Sequence, residues 1–166
     1  MVAAWRSGIH GVAGRCARIG PAVRPDRHGP VGARVTPVAL GVLDTSVVID
    51  PPVDVSRYAR LVGVAAITMG ELAYGLHVAD TIELAVREGR YRAILATYDP
   101  IPYDAEAAHW FGAIAAAVRQ RGRNPRSRVA DLLIAATAKA SGAAVLTRNP
   151  ADFKGIDAIV EVIDVH

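Results

Sequence analysis

Short apolar runs rich in β-branched residues alternate with longer helical stretches over most of this 166-residue chain. Runs of this length and composition favour buried strands. They lie at 38–43, 62–67, 143–146 and 160–163. The helical stretches lie at 68–79, 81–96, 105–121 and 129–140. Because strands that alternate with helices pair mainly in parallel and are covered by the helices, the pattern predicts an α/β fold.

Residues 1–36 differ from the rest of the chain. They mix Gly, Ala, Pro and Arg without a strand or helix period, so they offer too little apolar surface to offset the entropy of ordering. We expect residues 1–36 to be a disordered extension, or upstream sequence translated from a wrongly chosen start codon, and residues 37–166 to form one domain. Six arginines against one aspartate give residues 1–36 a net charge of +5, and the remainder carries −2. The overall charge is therefore no argument for nucleic-acid binding, although a basic arm that attracts RNA is an alternative role for this segment.

Cysteine and apolar content limit the class of protein further. The single cysteine excludes an internal disulfide and a cysteine-rich zinc site, and the five histidines show no zinc-type spacing. No apolar run approaches the roughly 18 residues that span a membrane, and arginines interrupt any candidate secretory signal. We therefore expect a cytoplasmic protein that makes no membrane contact.

Three acidic residues are candidate catalytic groups. Asp44 ends the first predicted strand, where it is also suited to cap the following turn. Glu71 is the last residue of Thr68-Met-Gly-Glu71, a capping-box pattern that would explain it structurally. Asp131 is harder to explain by structure alone, because the residues three, four and seven positions later are all apolar. A buried carboxylate needs a cation or a strong donor, so we expect either a metal ion or Arg128 beside it.

Asn149 and Asp152 form a fourth candidate group near the end of the next predicted strand. Asn149 would cap a short helix with Asp152 in its first turn, or either residue would complete a polar shell around the other acids. Ligands in open α/β sheets bind beyond the carboxyl ends of the strands. Carboxylates gathered there would repel one another without a cation, and hard oxygen ligands suit Mg²⁺ or Mn²⁺. Phosphodiester hydrolysis by metal-activated water is the reaction class that follows.

At these residues the chain resembles the PIN-domain ribonucleases, in particular the VapC toxins of bacterial VapBC toxin–antitoxin pairs. The resemblance covers about residues 38–166 and rests on four short motifs in order. They are Leu43–Ser46, Thr68–Gly75, Ala130–Ala136 and Thr147–Phe153. It implies a Rossmann-like fold with an acidic pocket that binds Mg²⁺ or Mn²⁺.

The resemblance also implies roles for individual residues. Asp44, Glu71 and Asp131 match the three firm acidic positions of the family, with Asp44 and Asp131 as metal ligands. The fourth position is often Asp in the family and falls on Asn149 here, so either Asn149 or Asp152 completes the shell around one or two metals. Ser46 and Thr147 match small hydroxyl positions that order the pocket and lie near the substrate.

The activity and partners implied by the family are specific. The expected reaction is hydrolysis of RNA that leaves a 5′-phosphate and a 3′-hydroxyl. The expected partners are an RNA substrate, a VapB-type antitoxin that lays a segment across the pocket, and a second copy in a homodimer. Within a run of arginines before Asp131, Arg123 and Arg126 are candidates for holding RNA phosphate, or they belong to a solvated helix end.

Other function classes stay open at this point. A nuclease that acts on single-stranded DNA or on RNA in general would have the same acidic pocket. An inactive PIN-like binding module is a second alternative, because Asn149 departs from the family pattern. A receiver-like signalling domain with Asp44 as phosphoacceptor fits poorly, since no lysine directly follows a late strand.

Overall fold

The computed structural model describes residues 36–166, together with the backbone of Ala17–Arg18. Most of the predicted 1–36 extension lies outside these residues. Five strands are present in this part of the chain: β1 (Ala17–Arg18), β2 (Val38–Leu43), β3 (Ala59–Val64), β4 (Ala144–Thr147) and β5 (Val162–Asp164). They form one sheet in the order β1-β3-β2-β4-β5. The strands β2 to β5 pair in parallel, and β1 pairs antiparallel with the outer edge of β3.

Five α-helices connect the strands: α1 (Thr45–Ile49), α2 (Ala66–His77), α3 (Thr81–Thr97), α4 (Ala105–Gln120) and α5 (Val129–Ala140). Short 3₁₀ turns lie at Val55–Arg57, Pro125–Arg128 and Pro150–Phe153. The predicted α/β fold with a mainly parallel sheet is confirmed. Among the described residues, no helix is both long and apolar enough to cross a membrane.

The core lies on both faces of the sheet because successive strand residues point to opposite sides. Val42 and Val145 belong to the cluster under α4 and α5, whereas Leu43 and Leu146 belong to the cluster under α1 and α2. Helix α3 has no buried residue and packs on α2 at the margin of the molecule. Helices on both faces close off the sheet and leave its strand ends as the accessible polar edge.

Several elements differ from the predicted bounds: β4 and β5 lie slightly later in the chain than predicted, and the largest difference is at β3 and α2. The strand predicted at 62–67 is observed as Ala59–Val64, and the helix predicted from residue 68 begins at Ala66. Between these two elements, Ile101 forms a parallel bridge to Ala65. The Ile101 backbone N–H donates to Val64 O, and the Ala66 N–H donates to Ile101 O, each at 2.8 Å. The Ile101 oxygen thus satisfies the first backbone N–H of α2, which begins without a side-chain cap.

Candidate active site

The three central strands end at one edge of the sheet. Leu43, the last residue of β2, is in register with Val64 of β3 and Leu146 of β4. The backbone N–H of Asp44 continues this pairing by donating to Leu146 O at 2.9 Å. The residues that follow these strands are therefore held side by side, as the location of ligand sites in open sheets predicts.

Asp44 is buried at this edge, with 5% of its surface exposed. Its Oδ2 atom accepts hydrogen bonds from Ser46 Oγ at 2.6 Å and from Thr147 Oγ1 at 2.9 Å. Its other oxygen accepts no hydrogen bond from residues 36–166. Two hydroxyl donors thus fix the carboxylate and leave one oxygen to contact a ligand.

Both hydroxyls are themselves anchored to the loop after β4. The backbone N–H of Arg148 donates to Ser46 Oγ at 3.2 Å, and that of Asn149 donates to Thr147 Oγ1 at 3.0 Å. Because each hydroxyl oxygen accepts from an amide, its single proton is available to Asp44. Ser46 and Thr147, which the sequence placed near the substrate, hold the carboxylate of Asp44.

Glu71 lies in the second turn of α2, away from the helix start. The N-cap is Ala65 and makes no side-chain capping bond, so the capping-box interpretation of Thr68 and Glu71 is wrong. Glu71 Oε2 accepts a 2.5 Å hydrogen bond from Thr45 Oγ1, and its other oxygen accepts none within the described part of the chain. Glu71 therefore has the same arrangement as Asp44, with one oxygen held by a hydroxyl. Thr45 is not among the site residues predicted from the sequence, although its position directly after Asp44 was the available signal.

Thr68 is fully buried one turn before Glu71 on α2. Its hydroxyl is the one buried side-chain polar atom in residues 36–166 that lacks a hydrogen-bond partner. Residues three positions apart share a helix face, so Thr68 is placed on the side of α2 that carries Glu71. A buried hydroxyl without a partner costs free energy unless water or a ligand satisfies it.

Asp131 lies in the first turn of α5, whose predicted bounds are confirmed. The apolar face predicted beneath it is also confirmed, since Ile134, Ala135 and Ala138 are fully buried. The Asp131 side chain retains 24% exposure. Burial, together with the negative charges of three neighbouring carboxylates, raises the pKa of Asp131 to about 6. These effects outweigh the attraction of Arg128, which lowers this pKa. The three neighbouring carboxylates that raise the pKa of Asp131 belong, in decreasing order of effect, to Asp44, Asp152 and Glu71.

Arg128 is the cation of this group, as the alternative explanation of Asp131 anticipated. Its Nη1 atom contacts Asp152 Oδ1 and lies 3.7 Å from Asp131 Oδ2. Asp152, in the turn after β4, therefore joins the acidic group. Asn149 is the N-cap residue of that turn and Pro150 follows it, as predicted, but the Asn149 side chain makes no capping hydrogen bond. We call Asp44, Glu71, Asp131 and Asp152 the carboxylate cluster.

Arg123 and Arg126 occupy different positions beside this cluster. Arg123 donates to the backbone oxygens of Lys154 at 2.6 Å and Ala151 at 3.3 Å, so it ties the loop after α4 to the turn that carries Asp152. Arg126 is exposed, and its side chain has no hydrogen bond or ion pair with the described residues. A cavity of about 210 Å³ lies between this loop and Asp152, with Arg128 in its wall.

The carboxylate oxygens of the cluster are chemically suited to a divalent cation. Within residues 36–166, no group of three or more His, Cys, Asp or Glu side chains is arranged to hold a metal ion. Asp44 and Glu71 nevertheless each keep an oxygen without a hydrogen bond, and the repulsion felt by Asp131 is the kind that a cation relieves. Carboxylate oxygens are the ligands that Mg²⁺ and Mn²⁺ prefer.

Comparison with known proteins agrees with this geometry. The PIN domain model matches residues 41–159. Ribonuclease VapC5 of Mycobacterium tuberculosis is 32% identical over 136 residues, which cover 78% of this chain and 98% of the relative.

Solved structures show the same likeness. A crystal structure of VapBC-5, a member of the VapBC family of toxin–antitoxin systems from Mycobacterium tuberculosis, matches with a TM-score of 0.67 at 30% identity, over 78% of this chain and 99% of that one. FitAcB from Neisseria gonorrhoeae matches with a TM-score of 0.58 at 27% identity, over 75% and 96%. The family model and the curated relative each cover most of this chain, and the chain therefore belongs to the PIN-domain family.

Proposed function

We propose that this chain is an endoribonuclease that depends on Mg²⁺ or Mn²⁺ and acts as the toxin of a VapBC-type toxin–antitoxin pair. The observation that carries the proposal is the convergence of Asp44, Glu71, Asp131 and Asp152, which is close enough for the other three to raise the pKa of Asp131. Carboxylates gathered at one site repel one another, and an acid with a pKa raised in this way is typical of functional sites. The similarity to ribonuclease VapC5 supports RNA as the substrate.

The residues of this chain have separable tasks in that reaction. A bound divalent cation would supply Lewis acidity and lower the pKa of water. Asp44 and Asp131 are the proposed ligands, with Glu71 and Asp152 beside them. We assign the fourth acidic position to Asp152 over Asn149, because the charge of Asp152 acts on Asp131. Ser46, Thr45 and Thr147 orient the carboxylates of Asp44 and Glu71, so that these two side chains lose less conformational freedom when a ligand binds.

The arginines beside the carboxylate cluster are the proposed binding groups for RNA phosphate. Arg126 is exposed on the turn that precedes Asp131, so it is placed to bind a phosphate next to the scissile one. Arg123 is already hydrogen-bonded to backbone oxygens, so its contribution is to hold the turn of Asp152 in place. An acidic centre with a basic rim allows a domain of net negative charge to bind RNA.

A VapB-type antitoxin and a second copy of this chain are the proposed protein partners. The solved relative VapBC-5 belongs to a toxin–antitoxin system, which supports an antitoxin for this chain. Expression of the chain alone should arrest growth, and Asp131→Asn should relieve that arrest. Size-exclusion chromatography with light scattering measures the predicted homodimer directly.

The activity is tested with purified protein, a mixed RNA substrate and a single-stranded DNA of matched length. We expect RNA cleavage in Mg²⁺ or Mn²⁺, loss of cleavage in EDTA, and at least a hundredfold loss in Asp131→Asn. Asp157→Asn is the matched control, because the Asp157 side chain is 70% exposed and lies outside the cluster. RNA cleavage that survives both EDTA and Asp131→Asn contradicts the proposal. If only the DNA is cleaved, the substrate is DNA and not RNA.

A further inference from the structure

Arg128 stands apart from the other groups that contact the carboxylate cluster. Asp44 and Glu71 are held by the neutral hydroxyls of Ser46, Thr147 and Thr45. Asp131 and Asp152 instead share one guanidinium nitrogen, Arg128 Nη1. Arg128 is thus the positive charge that contacts the cluster within residues 36–166.

The contact of Arg128 with Asp152 is close, but its contact with Asp131 lacks the geometry of a strong structural ion pair. The separation of 3.7 Å between Arg128 Nη1 and Asp131 Oδ2 is too long for a direct hydrogen bond. One nitrogen serves two carboxylates on different elements, so the planar fork does not bind either of them in the bidentate geometry that makes such pairs tight. The side chain is 39% exposed, so it can leave the cluster without disturbing the core.

Arg128 also lies beside the carboxylates that an added cation would bind. Three neighbouring carboxylates repel the ionised form of Asp131. Arg128 offsets the negative charges of Asp131 and Asp152. A divalent ion drawn to those oxygens meets the repulsion of the guanidinium. The two cations therefore compete for the same negative charge.

We propose that Arg128 is the counter-cation of the carboxylate cluster in the metal-free protein, and that its side chain moves away from Asp131 and Asp152 when a divalent cation binds. The inference rests on the proposed function, because that function requires the cation. Arg128 stabilises the metal-free protein and weakens the affinity of the cluster for metal. It thereby sets the concentration of Mg²⁺ or Mn²⁺ at which the cluster becomes loaded.

The test measures metal affinity without RNA, by isothermal titration of the purified protein with Mn²⁺ and with Mg²⁺. We expect Arg128→Gln to bind either ion about three- to twentyfold more tightly than the unmodified protein, as the loss of one positive charge beside a divalent ion implies. Arg126→Gln, on the same 3₁₀ turn but without a carboxylate partner, should leave the affinity unchanged. Arg128→Lys keeps the charge and should bind metal within about twofold of the unmodified protein.

Thermal unfolding supplies a second readout. In EDTA, Arg128→Gln should unfold at a lower temperature, because the carboxylates lose their counter-charge, and added Mg²⁺ should raise its Tm more than that of the unmodified protein. If Arg128→Gln does not fold, NMR of the unmodified protein tests the inference instead. The side-chain Nε–Hε signal of Arg128 should shift on titration with Mg²⁺, while that of Arg126 should not.

The inference is overturned if Arg128→Gln binds metal no more tightly than the unmodified protein, including the case in which neither binds. An Arg128 signal that does not respond to saturating Mg²⁺ overturns it as well. Failure of the proposed function looks different: the unmodified protein would bind metal, with the Arg128 effect present, and cleave no RNA.

Discussion

The raised pKa of Asp131 makes a quantitative prediction about stability. In the folded protein this pKa is about 6, against an ordinary value of 3.8, so between pH 4 and 6 the folded state binds more protons than the unfolded state. The free energy of unfolding therefore falls as the pH rises through this window. At higher pH the ionised Asp131 costs the folded state about 3 kcal/mol, since each pH unit between the two pKa values is worth about 1.4 kcal/mol.

Asp131→Asn removes this cost, because asparagine does not ionise. At pH 7.5 in EDTA we expect the variant to be more stable than the unmodified protein by about 1–3 kcal/mol, the lower end allowing for solvent screening of a side chain that is 24% exposed. For a domain of this size that is a rise in Tm of about 2–12 °C. At pH 4 the two proteins should have nearly equal stability, since Asp131 is then protonated in the folded state.

Thermal and urea denaturation at the two pH values measure the effect. Asp157→Asn is the control and should change stability by less than about 0.5 kcal/mol at either pH, because its side chain is 70% exposed. Mg²⁺ should raise the Tm of the unmodified protein more than that of Asp131→Asn. If Asp131→Asn is less stable at pH 7.5 in EDTA, Asp131 is a stabilising partner of Arg128 and the reasoning is refuted.

Three further substitutions test the framework around the cluster. Thr147→Val removes a hydroxyl that donates to Asp44 and should lower RNA cleavage about tenfold or more; a variant with full activity would show that Asp44 needs no such support. Gly41→Ala places a Cβ against Leu146 Cδ1 in the core, so urea denaturation should show a loss of about 1–3 kcal/mol, and an unchanged midpoint would contradict the packing. Asp104→Ala removes the N-cap bond to Ala107 N and should cost about 1 kcal/mol in the same assay, with cleavage unaffected; a neutral result would mean that the cap contributes nothing.

The sequence by itself determined the elements whose patterns are local. Strand β2 and helix α5 have the predicted bounds, because an apolar run and an apolar helix face are properties of neighbouring residues. Asp44 and Asp131 stood out for the same reason, one at a strand end and the other above an apolar face. The likeness to PIN domains was visible in motifs that follow these elements.

Tertiary structure decided everything that depends on residues far apart in the chain. Thr68 and Glu71 have the spacing of a capping box, but the helix begins earlier, at Ala66, where the distant Ile101 oxygen accepts from the first backbone N–H in place of a side-chain cap. Arg128 and Asp152 meet only because α5 and the turn after β4 pack together. Long-range electrostatics then raised the pKa of Asp131, since the charges that repel it come from three separate elements whose distances no local pattern specifies.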